Sequence, residues 1–112
     1  MRAFKTAMLA ASIAAMTSTT AQAQSLPRFD VEGHCEQVSE FVGGSHEIYN
    51  TCIRSEQRAY NALKQKWPDV SGRIRYHCKE VAGFTGGSYE IMQTCVQNEQ
   101  NAAGNRESFS FD

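Results

Sequence analysis

The most reactive side chains of this chain recur as a set: His34-Cys35 with Cys52, and His77-Cys78 with Cys95. Thiols and imidazoles are both zinc ligands, so His34 and His77 with the four thiols outline one possible chemistry, metal binding. Structural zinc sites, however, draw ligands from close pairs, and no two cysteines here stand nearer than 17 positions. Neighbours on a helix also point roughly 100° apart, so a histidine does not readily share a metal with the cysteine beside it. Thiol–disulfide exchange uses a Cys-x-x-Cys pair with one thiol activated at a helix N-terminus, and the chain has no such pair. No metal and no other cofactor is expected, and the thiols are read as disulfide partners.

Two further constellations could do chemistry. Glu56 and Glu99 stand at the same distance after His34 and His77, and a His–Glu pair can exchange protons as general acid and base. No nucleophile motif or oxyanion-hole donor set accompanies either pair, so the chain is not expected to be an enzyme. A charged hydrogen bond within each pair is the simpler expectation, because a carboxylate near an apolar stripe is costly without a partner. The Gly-Gly-Ser triplets at 43–45 and 86–88 lack the lysine and the preceding strand of a phosphate-binding loop. They read as turns.

What must position these residues begins after a targeting segment. Arg2 and Lys5 precede a short apolar run, and Ala21-Gln22-Ala23 supplies a small-x-small cleavage pattern, so residues 1–23 read as a signal peptide. No stretch of the mature chain approaches the roughly 18 apolar residues of a membrane helix. Residues 24–112 carry nine basic against twelve acidic side chains, a net charge of −3 with neutral histidines. No basic stripe marks a nucleic-acid binder. A domain of this size has a marginal core, and four cysteines in an oxidising compartment read as two disulfides that compensate.

The chain is duplicated. Residues 34–59 align with 77–102 without gaps, and 14 of the 26 positions are identical. In each copy one apolar face (Val31, Cys35, Val38 and Val42; Ile74, Cys78, Val81 and Thr85) runs at helical spacing up to the glycines. A glycine in the left-handed conformation ends that helix, and Ser45 or Ser88 caps the next, with Glu47 or Glu90 in its first turn. The second helix presents Ile48, Cys52, Ala59 and Leu63 in one copy, and Ile91, Cys95 and Ala102 in the other.

Cys35 lies nine residues before Gly44 and Cys52 eight after it; Cys78 and Cys95 flank Gly87 in the same way. At about 1.5 Å per residue, both cysteines of an antiparallel helix pair then stand ~12–13 Å from the turn. That placement predicts Cys35–Cys52 and Cys78–Cys95. The resulting fold is all-α: four short helices in two tandem disulfide-stapled hairpins. Residues 24–30 form an N-terminal arm, 31–67 the first hairpin, 68–105 the second, and 106–112 a flexible tail. Pro68 is expected to take Trp67 out of the helix, with Asp69 or Ser71 capping the next. Tyr60, Leu63 and Trp67 form a stripe that the second copy lacks. It either packs the hairpins together or binds a partner, since aromatic anchors are favoured at interfaces.

With its Cys…Gly-Gly-Ser…Ile…Cys…Glu-Gln unit present twice, the chain resembles a group of short exported bacterial proteins of unknown function. The resemblance spans residues 31–103 and rests on Cys35, Gly43-Gly44-Ser45, Ile48, Cys52, Glu56, Ala59 and their second-copy counterparts. His46 departs from it, where the second copy has Tyr89. It implies a periplasmic or secreted location and no particular activity. The expected function is a non-enzymatic module with an unknown protein or peptide partner or an envelope-maintenance role. The alternative is a metal-binding or thiol-redox protein using the His-Cys pairs.

Overall fold

A computed structural model describes Ala3 and residues 25–112. The expected signal peptide, Ala3 apart, and its cleavage point lie outside the described residues. Four α-helices follow one another: α1 (Val31–Phe41), α2 (His46–Lys66), α3 (Gly72–Phe84) and α4 (Tyr89–Gly104), with a 3-10 turn at Trp67–Asp69 after α2. Each helix starts on a side-chain cap. Asp30, Ser45, Ser71 and Ser88 accept from the backbone N–H three residues on, at 3.0, 3.2, 3.3 and 3.3 Å. Such a cap satisfies a donor that the first turn leaves unpaired, and contributes about 1 kcal/mol.

Both glycines of each pair, not one, take the left-handed conformation: φ is 89° and 82° at Gly43 and Gly44, and 88° and 94° at Gly86 and Gly87. Any other residue there would be strained. At Gly87 a side chain would also meet the ring of Phe29 about 2.9 Å away. The turns reverse the chain, and α1 lies along α2 as α3 lies along α4. Cys35–Cys52 and Cys78–Cys95 join the helices of each hairpin, both with Cα atoms 5.5 Å apart. The predicted all-α fold and both disulfides are present.

The hairpins meet through α2 and α4, which leaves α1 and α3 on the outside. Ala59, Leu63 and Trp67 of the first hairpin and Val70 of the linker pack with Cys78, Ala82, Tyr89, Met92 and Val96 of the second. This decides between the two readings of the Tyr60–Leu63–Trp67 stripe. Leu63 and Trp67 are buried and Tyr60 half-buried against this core, so the stripe is not a free partner-binding patch. Burying side chains of this size stabilises by roughly 1.5–3 kcal/mol each. α2 ends at Lys66, as Pro68 leads one to expect, and Trp67 opens the 3-10 turn with helical dihedrals (φ −55°, ψ −40°) and its N–H on the Leu63 carbonyl. Pro68 is the second residue of that turn, at its N-terminal end where a missing N–H is tolerated. Arg75 holds that turn from α3. Its Nε and Nη2 donate to the Trp67 carbonyl at 3.1 and 2.7 Å, and its guanidinium sits 5.5 Å from the indole centre.

α1 is buried less than its sequence suggests. Cys35 is covered, but Val38 and Val42 of the same stripe stay exposed, as does Ile48 on α2. Ser39 is buried in their place, and its hydroxyl donates to the Ser45 carbonyl across the turn at 2.7 Å. A helix with one neighbour has only one covered flank, so a wide apolar stripe must overhang it.

The N-terminal arm crosses from the first hairpin to the second. The Phe29 N–H donates to Tyr89 Oη at 3.0 Å, and that hydroxyl donates to the Pro27 carbonyl at 2.7 Å. Tyr89 is also sandwiched between Phe29 and Tyr60, with ring centres 4.8 and 5.0 Å away. Burial raises the Tyr89 phenol above its ordinary value of 10, partly offset by the hydrogen bond from Phe29. The charged form is the deprotonated one, so between the unfolded and folded values only the unfolded chain ionises. Stability should therefore be flat just below pH 10 and fall as pH rises beyond it. Tyr49 is shifted the same way, by burial and by Glu32 and Glu36. The diagnostic is thus a shallower alkaline slope in Tyr89→Phe than in the wild type, measured by urea midpoints at successive pH values. Equal slopes would contradict the assignment.

Residues 105–112 carry no helix or strand. Phe109 and Phe111 are exposed there and pack edge to face on each other at 4.8 Å.

Candidate functional site

All four sulfurs are in S–S bonds. Among the described residues, no group of three or more His, Cys, Asp or Glu side chains is placed to hold a metal ion. His34 and His77 lie near the carboxylates that the spacing predicts, with His34 Nε2 3.8 Å from Glu56 Oε1 and His77 Nε2 3.5 Å from Glu99 Oε1. The first gap is too long for the expected charged hydrogen bond, because Glu56 is turned to other donors.

The two pairs have diverged in role. Glu99 and His77 are about half exposed, whereas Glu56 is 1% exposed. One Glu56 carboxylate oxygen accepts from the Ser88 hydroxyl and the other from the Tyr89 N–H, both at 2.6 Å. Ser88 caps α4 and Tyr89 is its first residue, so Glu56 places a carboxylate on the positive end of that helix. These two bonds tie the first hairpin to the second. Nothing local in sequence signals this bond, because its partners lie 32 and 33 positions away.

What remains open is the outer side of each hairpin. On the second, a groove of ≈ 520 Å³ runs between α3 and α4, bounded by His77 and Glu99, Val81 and Ile91, and Glu90 and Thr94. Cys95 and Asn98 complete its lining. Seven of these eight residues are identical at the equivalent positions of the first hairpin; only Asn98 differs, from Ser55. One turn beyond Val81 stands Phe84, 93% exposed, and its counterpart Phe41 is 91% exposed. Val38 and Val81 are each 37% exposed. Sequence reasoning placed Val38 and Val81 on the inward faces and assigned no face to Phe41 and Phe84; it could not see that each hairpin covers only part of its apolar face.

No protein-family model, curated protein or solved structure matches the chain.

Proposed function

We propose that the mature chain is a non-enzymatic helical module that works outside the cytoplasm by binding a protein or peptide. The observation that carries this reading is the pair of nearly fully exposed phenylalanines, Phe41 and Phe84, each beside an exposed valine at the same place in its hairpin. Single exposed apolar residues are ordinary, but apolar clusters repeated on one scaffold suit contact with another molecule. Two disulfides fit an oxidising compartment. Among the described residues no helix is long and apolar enough to cross a membrane. The resemblance to short exported bacterial proteins supports a periplasmic or secreted location.

A photo-cross-linking residue at position 41 or 84 of the exported protein tests the reading. The expected outcome is an adduct with the same protein from both positions and none from Asn61, an exposed site on α2. A free-thiol and zinc count on the same preparation should give zero for both. Two or more free thiols, or stoichiometric zinc, would favour the metal or redox alternative instead.

A further inference from the structure

We infer that the cleft between the N-terminal arm and the end of α2 binds a small carboxylate that carries an apolar body. The cleft measures ≈ 350 Å³, near the lower end of the roughly 300–1,000 Å³ typical of ligand sites. Leu26, Tyr60, Trp67 and Pro68 give it apolar walls, and Arg28 and Lys64 are its charged residues. It is distinct from the exposed phenylalanines and stands independently of the partner proposed for them.

The polar groups here call for an acceptor. Trp67 is 3% exposed, and its indole Nε1–H is the one buried side-chain donor among the described residues without a hydrogen-bond partner. A buried donor left unpaired is costly, and native structures rarely keep one. Neither Arg28 nor Lys64 is ion-paired among the described residues; the Lys64 ammonium lies over the Tyr60 ring, 5.7 Å from its centre. The Pro68 carbonyl already accepts from the Arg75 guanidinium at 3.1 Å.

Carboxylates stand around the cleft but not in its wall. Glu32 and Glu56 line the adjoining pocket that shares Arg28 and Tyr60, and Glu56 is bonded to Ser88 and Tyr89. Asp69 follows Pro68 without lining the cleft, and Arg75 adds a further positive charge beside Trp67 and Pro68. Two unpaired cations and an unpaired N–H match an anionic group that only accepts, and the walls match a hydrocarbon or aromatic body behind it. An amine would be repelled, and inorganic phosphate would leave the walls unused. Nε1 itself is closed to solvent, so a ligand reaches it where a wall gives way. The arm is the wall outside any helix, and Leu26 lies beyond its last hydrogen bond to Tyr89, the one on the Pro27 carbonyl.

Trp67 is the only tryptophan, so one indole N–H resonance reports on the cleft. The test titrates the intact oxidised chain with octanoate and with N-acetylphenylalanine, whose carboxylate stands for a peptide C-terminus. Either should saturate one site and move the indole resonance downfield as the N–H gains an acceptor. The tighter of the two identifies the source, a free acid or a peptide end. Arg28→Gln and Lys64→Gln should each weaken binding by about five-fold or more. Lys66→Gln, on the same last turn of α2 but outside the cleft, should leave it unchanged. All three side chains are exposed, so thermal unfolding should stay as in the wild type. An indole resonance that does not move at saturation overturns the proposal. So does equal binding of octanol, octylammonium or inorganic phosphate, or wild-type affinity in both the Arg28 and Lys64 variants.

Discussion

Glu56→Ala should cost about 4 kcal/mol of folding stability, whereas Glu99→Ala, at the equivalent place in the second repeat, should cost less than about 1 kcal/mol. The difference comes from surroundings. Glu56 receives two charge-assisted hydrogen bonds at 2.6 Å in a buried site, and its removal strands the Ser88 hydroxyl and the Tyr89 N–H beside a new cavity. Hydrogen bonds to a charged group contribute roughly 1.5–3 kcal/mol each, and an unpaired buried donor loses its hydration as well. Glu56→Gln keeps the shape and one good acceptor, so about half the loss is expected. Glu99 has only the half-exposed His77, and solvent screens such a pair. Urea unfolding of the three variants decides the matter. Equal losses for Glu56→Ala and Glu99→Ala would mean that the carboxylate does not join the hairpins.

The two disulfides should also differ, although each closes a loop with the same sequence separation of 17. Chain entropy alone gives about 3 kcal/mol for either. Tertiary packing separates them. α1 touches little besides α2, and Cys35 lies outside the buried inter-hairpin cluster. Without Cys35–Cys52, an 11-residue helix with only Cys35 and Ser39 buried is below the length that holds in water by itself. The Cys35→Ala/Cys52→Ala variant should therefore lose α1 locally, with rapid amide exchange there, while α2, α3 and α4 stay folded. Cys78 and Ala82, by contrast, belong to the core shared by both hairpins. Cys78→Ala/Cys95→Ala should add core loss to the entropic term and lower the midpoint of the whole domain. If both variants unfolded as one cooperative unit with equal midpoints, the view of α1 as a peripheral helix would be wrong.

The proposed partner surface follows from the same economy. A chain of four helices stacked as pairs has two outer helices with one covered flank each. Apolar residues at the edges of those flanks are the side chains left for another molecule.

Much of this was legible in the residues. Cysteines nine before and eight after a Gly-Gly pair stand level in any antiparallel hairpin, so the disulfide pairing is a matter of helical rise. The glycines and the serines after them specify turn and cap from their own backbone chemistry. The His–Glu pairs follow from the same counting. Local spacing determines all of these, because each partner lies within one hairpin.

The tertiary structure decided everything that depends on where the hairpins sit relative to each other. It turned Leu63 and Trp67 inward. It buried Glu56 beneath α4 while leaving Glu99 in solvent, and set Tyr89 between Phe29 and Tyr60 where the first copy has an exposed His46. It also left Phe41 and Phe84 outside. A helix's apolar stripe records which residues can be buried, but its actual cover is set by the neighbours, and two related units in one chain have different neighbours.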